Sequence, residues 1–369
     1  MKVGVISTTI FKLPIAGYGG LEVVAWHCAR GLAEMGHDVY LFCPNDSICP
    51  NVTIVPFGVA GTINEHEAYG GYRELKNQEG QIVRNAWGGY WPHLLQMDCI
   101  IDHSWQKYAY LLKMEGRLKC PVLGVMHAPC STMYSSPPPV EKPCLVGISR
   151  DQANHSEALY EKETKVCHNG IDIDFYKSMQ IQRTDRYLFL ARFSFIKCPD
   201  LAIMAALEAG VGLDMIGDTT ITNEPELFKE CMRLAEQNSP NWDRSKGKQI
   251  KVIGGVSRDE TVYWYSQARA MLHPNMRFRE PLGLAPLEAQ ACGTPVCAWR
   301  RGAMMETVNE GKTGYLVNSL PEMVEILKTN KMDGLSRDYC REWATGFSID
   351  VMVHRYNELV QEAVQTGGW

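Results

Sequence analysis

An excess of basic charge, CxxC cysteine pairs and long apolar runs are all missing from this sequence, and each absence excludes a class of protein. Lys and Arg total 37 against 42 Asp and Glu, a net charge of -5. Together with a pI near 6.1, that argues against nucleic acid as a partner, which calls for a basic surface. No apolar run approaches the ~20 residues that cross a bilayer. The N-terminus MKVGVISTTI reads as a short apolar strand without a cleavable signal pattern. The 13 cysteines are odd in number and scattered without a CxxC pair, so they are expected reduced and mostly buried. A cytoplasmic protein is expected. GxGxxG is absent too, which weakens a nicotinamide reading, and there is no low-complexity tract or tandem repeat. At 369 residues the chain is long enough for two domains, each with its own core.

What is present concentrates in HPNMRFREPLGLAPLEAQACGTPVCAWRR, His273 to Arg301. Glu280 precedes a Pro-Leu-Gly turn, a short helix carries Glu288, and Gly293-Thr294-Pro295 closes it. Gly283 lets backbone approach a ligand, and the free N–H groups near Gly283 and Leu284 form an anion seat. Pro286 is tolerable only in that helix's first turn. One carboxylate before a phosphate-binding helix end, and another about two turns in, suit a polyol phosphate such as a nucleotide sugar. The plainer alternative is a helix start where Glu280 favours the dipole and Glu288 lies on a solvated face.

Glu280, seven intervening residues and Glu288, within EPLGLAPLEAQACGTPV, resemble the Glu-x7-Glu signature of retaining glycosyltransferases of family four. That resemblance implies the GT-B fold, α/β with two Rossmann-like domains facing each other across a cleft. It extends over nearly the whole chain. Tyr18-Gly19-Gly20-Leu21-Glu22 is similar to the family's Gly-Gly loop beside the donor diphosphate, and GVMHAP ending at His127 to its strand-end His near the reacting sugar. ARFSFIKCPD resembles the Arg and Lys pair, here Arg192 and Lys197, that grips the donor phosphates. Gly254 to Val256 matches the loop along the nucleotide base. Arg300-Arg301-Gly302 replaces commoner paired glycines, and His273-Pro274-Asn275 replaces a Pro-Ser turn.

In chain order, Lys2 to Ser7 reads as a buried strand, and a Gly-rich loop leads to a helix with Leu21, Val24, Cys28, Leu32 and Met35 at helical spacing. With Val39 to Cys43 as the next strand, this is a Rossmann opening. Gly58 to Pro92 shows little periodicity; in such folds this segment often shapes the acceptor site. Strands ending at His103 and His127 point both rings at a ligand crevice, and His103 is expected to bind donor. Trp105 to Lys119, with Lys107, Lys113, Arg117 and Lys119, reads either as a solvated helix or as a peripheral membrane contact. Asn169-Gly170-Ile171-Asp172 resembles the turn before the family's interdomain linker, expected at Lys177 to Asp185. Ser257 and Glu260 fit a capping box. The final helix, with Val351, Val353, Tyr356, Leu359, Val360 and Val364 as its apolar stripe, is expected to return to the N-terminal domain. The expected division is therefore 1–180 (acceptor side), 181–345 (nucleotide sugar) and 346–369 (returning helix).

By this resemblance the activity is transfer of a hexose-type sugar from a nucleoside diphosphate sugar to an acceptor, with retained configuration and no cofactor or metal. The implied catalytic residues are His127, Glu280, Arg192 and Lys197. Those at the donor are Gly19, Gly20, His103, Gly254, Val256, Gly283, Leu284 and Glu288. The partners are the donor, an acceptor that is a sugar, small molecule or lipid-linked, and no nucleic acid. Two rival readings keep the fold: a nucleotide-sugar epimerase or inverting enzyme, and a catalytically silent sensor or scaffold.

Overall fold

The structure, a computed structural model, describes residues 1–8, 11–15, 19–56, 86–105, 107–129, 144–217 and 224–369. The expectations for Tyr18, for the loop residue Gly17 and for most of Gly58 to Pro92 lie outside these residues. Two compact units emerge, Met1–Gly170 with Ile349–Trp369, and Ile171–Ser348.

The first unit is built on seven parallel strands in the order β3-β2-β1-β4-β5-β6-β7. They are β1 (Lys2–Ile6), β2 (Asp38–Cys43), β3 (Thr53–Pro56), β4 (Cys99–Asp102), β5 (Val122–Met126), β6 (Cys144–Gly147) and β7 (Thr164–Val166). β4 and β5 are buried at every residue, as expected of parallel strands covered on both faces. Phe42, Tyr90, Ile100, Val122 and Leu145 fill one side of the sheet. The helix Gly20–Glu34 buries Leu21, Val24, Cys28 and Leu32, the expected stripe, while Met35 is 39% exposed.

The second unit repeats the plan with six parallel strands, β10-β9-β8-β11-β12-β13. These are β8 (Tyr187–Leu190), β9 (Leu213–Ile216), β10 (Ile250–Gly254), β11 (Met271–His273), β12 (Val296–Trp299) and β13 (Gly314–Val317). Its core includes Phe189, Phe193, Ile203, Leu213, Met323 and Leu327. In both sheets the chain order reverses beside the first strand of the unit, between β1 and β4 and between β8 and β11. Strand C-termini at such a reversal are where ligands bind in open α/β sheets.

The chain passes from one unit to the other at Gly170/Ile171, ahead of the polar stretch Lys177 to Asp185. The reason is local. Arg341 donates to the carbonyls of Ile173 at 3.0 Å and Tyr176 at 2.8 Å, and Arg258 lies 4.5 Å over the Phe175 ring. Residues 171–176 are thereby fastened to the second unit.

The helix Ile349–Thr366 returns to the first unit and packs on Gly20–Glu34. Its buried stripe is Met352, Val353, Tyr356, Leu359, Val360 and Ala363. Val351 and Val364, expected within it, are 49% and 38% exposed. The period explains Val351, which falls five residues before Tyr356, well off the face that recurs every three or four residues. Val364 keeps the period but lies in the helix's last turn, two residues before its end at Thr366.

The expected basic helix shrinks to Tyr108–Met114. Lys113 is buried and donates to the Lys119 carbonyl at 3.0 Å, and Arg117 stacks 4.6 Å over Trp91. Lys113 and Arg117 are thus engaged within the fold. Among the described residues no helix is long and apolar enough to cross a membrane. All 12 described cysteines are free, and every one except Cys120 is buried.

Candidate active site

Lys197 and Glu280 reach each other from segments far apart in sequence. Lys197 sits on the single turn Phe195–Lys197, which follows β8 and ends at Cys198 in a left-handed conformation, φ 54°. Glu280 lies between β11 and the helix Leu284–Ala291. Lys197 Nζ is 2.5 Å from Glu280 Oε2. Asn275 Nδ2 donates to the same oxygen at 2.6 Å. His273 Nε2 stands 3.7 Å away, too far for a hydrogen bond, and acts on the carboxylate through space. Burial alone would raise the Glu280 carboxyl. The Lys197 ammonium, aided by His273, overcomes it and holds the group well below the usual carboxylate range. Glu280 Oε1 carries no hydrogen bond among the described residues.

A second ion pair fixes that geometry. Arg277, in the loop before Glu280, binds Asp200 through two bonds of 2.7 and 2.6 Å. Asp200 lies in the helix that begins just after Lys197, so this bidentate clamp ties the lysine's turn to the glutamate's loop. Arg277 also lies 4.4 Å over Phe195. Neither Arg277 nor Asp200 stands out in the sequence, because the clamp joins positions 77 residues apart.

Beyond Glu280 the backbone bends into the helix. Gly283 is the residue before its first turn, at φ 84°, and among the described residues no side chain caps it. A Cβ there would meet Met304 Cε at 2.7 Å and Glu280 Cγ at 3.3 Å. The site thus has uncapped helix-start amides of Leu284–Ala291, suited to an anion, close to a carboxylate paired with an ammonium. Gly302, in the unusual Arg300-Arg301-Gly302, is needed for close approach: a Cβ would lie 2.5 Å from the Glu280 carbonyl. Arg300 itself binds Glu310 at 2.5 Å and the Leu316 carbonyl at 3.3 Å.

Glu288 has a different setting. Tyr265 donates to its Oε2 at 3.0 Å, Tyr176 is a second phenolic partner, and Arg258 is nearby. Burial raises its carboxyl above the ordinary value despite these groups. The three partners were missed by sequence reasoning. Only the capping box at Ser257 and Glu260, which the structure contains, marked the start of the helix Arg258–Gln267 that carries two of them.

The remaining expected residues fall at strand ends or helix starts. Arg192 follows β8 and is half-buried. Gly254 ends β10 at φ 93°, and Val256, half-buried, follows just before Ser257. In the first unit Gly19 precedes the helix whose first residue is Gly20, again without a side-chain cap among the described residues. His103 and His127 follow the adjacent strands β4 and β5, and their rings share a hydrogen bond of 2.9 Å between Nδ1 of the first and Nε2 of the second. Burial pushes His127 down to about 3. His103 lies well below its usual value through burial and the neighbouring ring. Among the described residues no three His, Cys, Asp or Glu side chains come together as a metal site requires.

Comparison with known proteins agrees with this architecture. Residues 18–175 match the family model for Glycosyltransferase Family 4, and residues 182–328 match that for Glycosyl transferases group 1. Together the two models span most of both units, and both describe glycosyltransferases, the class of enzyme to which the chain is assigned. A D-inositol 3-phosphate glycosyltransferase of Catenulispora acidiphila is 25% identical, over 95% of this chain and 92% of its own. The enzyme of the same name from Streptomyces bingchenggensis is 22% identical, over 81% of this chain and 73% of its own. Among solved structures, sucrose-phosphate synthase from Thermosynechococcus elongatus superposes with a TM-score of 0.77 at 17% identity, over 99% of each chain. Anabaena HepE in complex with UDP-glucose gives 0.70 at 16% identity, over 99% of this chain and 100% of its own. The fold is GT-B, two Rossmann-like α/β units.

Proposed function

We propose that this transferase moves a hexose-type sugar from a nucleoside diphosphate sugar to an acceptor hydroxyl, with retained anomeric configuration and without a metal. The observation that carries the reading is the meeting of Lys197, Glu280 and the uncapped helix start at Gly283 and Leu284. An ammonium has three donors, so Lys197 can hold Glu280 and still face a phosphate oxygen. With Arg192 and the Gly283 and Leu284 amides it would stabilise the departing diphosphate, which is catalysis by preorganised charge and dipoles. Glu280, kept ionised, offers Oε1 to sugar hydroxyls. Glu288 takes the ribose hydroxyls, Gly254 and Val256 line the base, and Gly19 and Gly20 approach the diphosphate. His127 positions the sugar. The leaving phosphate accepts the acceptor's proton, so no protein base is required.

The test is hydrolysis and transfer with UDP-, GDP- and ADP-sugars, with and without chelator. UDP-glucose comes first because a structural neighbour binds it, and inositol phosphate is the first acceptor because relatives are named for it. Slow, chelator-resistant release of nucleoside diphosphate from one donor is expected. Tight nucleotide binding without any turnover would leave the sensor reading standing instead. A strict divalent-metal requirement would remove the role given to Arg192 and Lys197.

A further inference from the structure

The two histidines of the first unit form a pair whose protons can be counted. His103 is completely buried and His127 half-buried, so His103 stands on the protein side of its partner. The rings are tilted by 32°, with centroids 5.2 Å apart. The edge of Tyr356, from the returning helix, closes on His103 with centroids 5.5 Å apart. His103 Nε2 is buried with no hydrogen-bond partner among the described residues.

Both rings are neutral, because burial disfavours the charged form of each. A neutral pair carries two ring hydrogens, and one of them lies in the shared bond. If His127 donated it from Nε2, the hydrogen of His103 would sit on Nε2, a buried N–H without an acceptor. If His103 donates it from Nδ1, its Nε2 is a bare acceptor and the hydrogen of His127 sits on Nδ1. Orphaned buried N–H groups are rarer than under-used acceptors, so the second arrangement is favoured. We propose that His103 is a positioning residue whose Nδ1–H holds His127 as the tautomer with its hydrogen on Nδ1. His127 is thereby a neutral donor whose Nε2 is occupied, and it cannot serve through that nitrogen as a base toward the acceptor. The inference rests on the role given to His127 above. It assigns His103 the task of orienting that ring, in place of the donor contact expected from sequence.

The decisive measurement is made on the unaltered protein. Long-range proton–nitrogen NMR of the full chain labelled with 15N-histidine should show His127 protonated at Nδ1, its signals identified by their loss in His127→Gln. Protonation at Nε2 overturns the proposal. Two variants test the consequence with whichever of UDP-, GDP- or ADP-glucose the unaltered protein hydrolyses fastest. His103→Phe keeps a ring against Tyr356 and removes the donor. It should lower kcat on the order of tenfold, as loss of an orienting hydrogen bond does, with KM little changed. His103→Asn sacrifices volume and keeps an N–H near the Nδ1 position, and should recover most of the rate. The reverse order, Phe active and Asn inactive, would show that the ring serves packing alone. If no donor is hydrolysed at all, the functional reading fails, while the NMR result still decides the tautomer.

Discussion

Glu280 and Glu288 stand eight residues apart on one stretch of chain, and the protein surrounds them in opposite ways. Glu280 meets an ammonium and a carboxamide, and its carboxyl is held far below the ordinary range. Glu288 meets phenols, and burial prevails over them to raise its carboxyl. Pairs of like groups driven apart in pKa mark a division of labour. The first is a fixed negative charge that can hold hydroxyl donors. The second is a hydrogen-bonding group whose charge the fold does not favour. Their spacing alone shows two acids, and only their neighbours show two tasks.

The largest effect should come from Lys197→Ala, because it leaves Glu280 buried without its counter-charge. Breaking such a pair costs about 3–5 kcal/mol, and turnover should fall on the order of 10²- to 10³-fold with a diphosphate contact gone. The pH dependence carries the sign. In the unaltered protein the Glu280 carboxyl is depressed. Its stabilisation is therefore present above its unfolded value of about 4.3 and lost as pH falls through the lower folded value. In the variant, burial is opposed only by Asn275 and His273 and moves that carboxyl up, so stability should improve on acidification and the gap to the unaltered protein should narrow. Urea melts at pH 7 and pH 4.5 would show it. A gap that is constant with pH would mean the pair has no electrostatic role.

Much of this was legible in the sequence, for physical reasons. Buried parallel strands are continuous apolar runs, so β1, β2, β4 and β5 could be read directly, and strand ends in such sheets are where ligands gather. Glu280, Gly283 and Glu288 were legible because they lie within one local motif. Asn275, Asp200, Arg277, Tyr176 and Tyr265 were not. Each acts through a contact between segments, and neither periodicity nor composition records which side chains meet. His273 and Asn275 were noticed only as departures from a familiar turn; the structure shows them gathered on Glu280. The stripe of the last helix was legible at Val353, Tyr356, Leu359 and Val360, but Met352 and Ala363 complete the buried face in place of Val351 and Val364.

Glu288→Gln is the sharpest test of the contrast. Its raised carboxyl means the ionised form weakens the fold as pH rises from the unfolded value through the higher folded one. Removing the charge should leave Tm at pH 7 unchanged or higher, since a Gln oxygen still accepts from Tyr265. Donor KM should rise on the order of tenfold with kcat nearly constant, the mark of a contact made equally in ground and transition states. Glu280→Gln should do the opposite, lowering both Tm and kcat. Equal losses in the two variants would erase the distinction.

Arg277→Ala should disturb Glu280 and spare Glu288. The clamp to Asp200 is half-buried and bidentate, and its loss lets the lysine's turn drift from the glutamate's loop. A several-fold fall in kcat is expected, since small misplacements of reacting groups are costly, with donor KM close to normal. A change in KM alone would mean that the clamp serves the nucleotide side.

Tyr265→Phe should have the smallest effect and confine it to Glu288. It deletes one hydrogen bond, worth about 0.5–1.5 kcal/mol, and leaves a buried ring of the same shape. Without that donor the Glu288 carboxyl should move further up, because burial is then opposed by Tyr176 and Arg258 alone. Donor affinity should therefore fall a few-fold, and fall more as pH drops, because a larger share of Glu288 is protonated and cannot accept both ribose hydroxyls. Isothermal titration with the nucleotide at several pH values measures this directly. Pairing the change with Glu288→Gln closes a double-mutant cycle. If the phenol acts through the carboxylate, the Tyr265 substitution should add nothing once Glu288 is already neutral. Full additivity would show that Tyr265 meets the ligand by some other route.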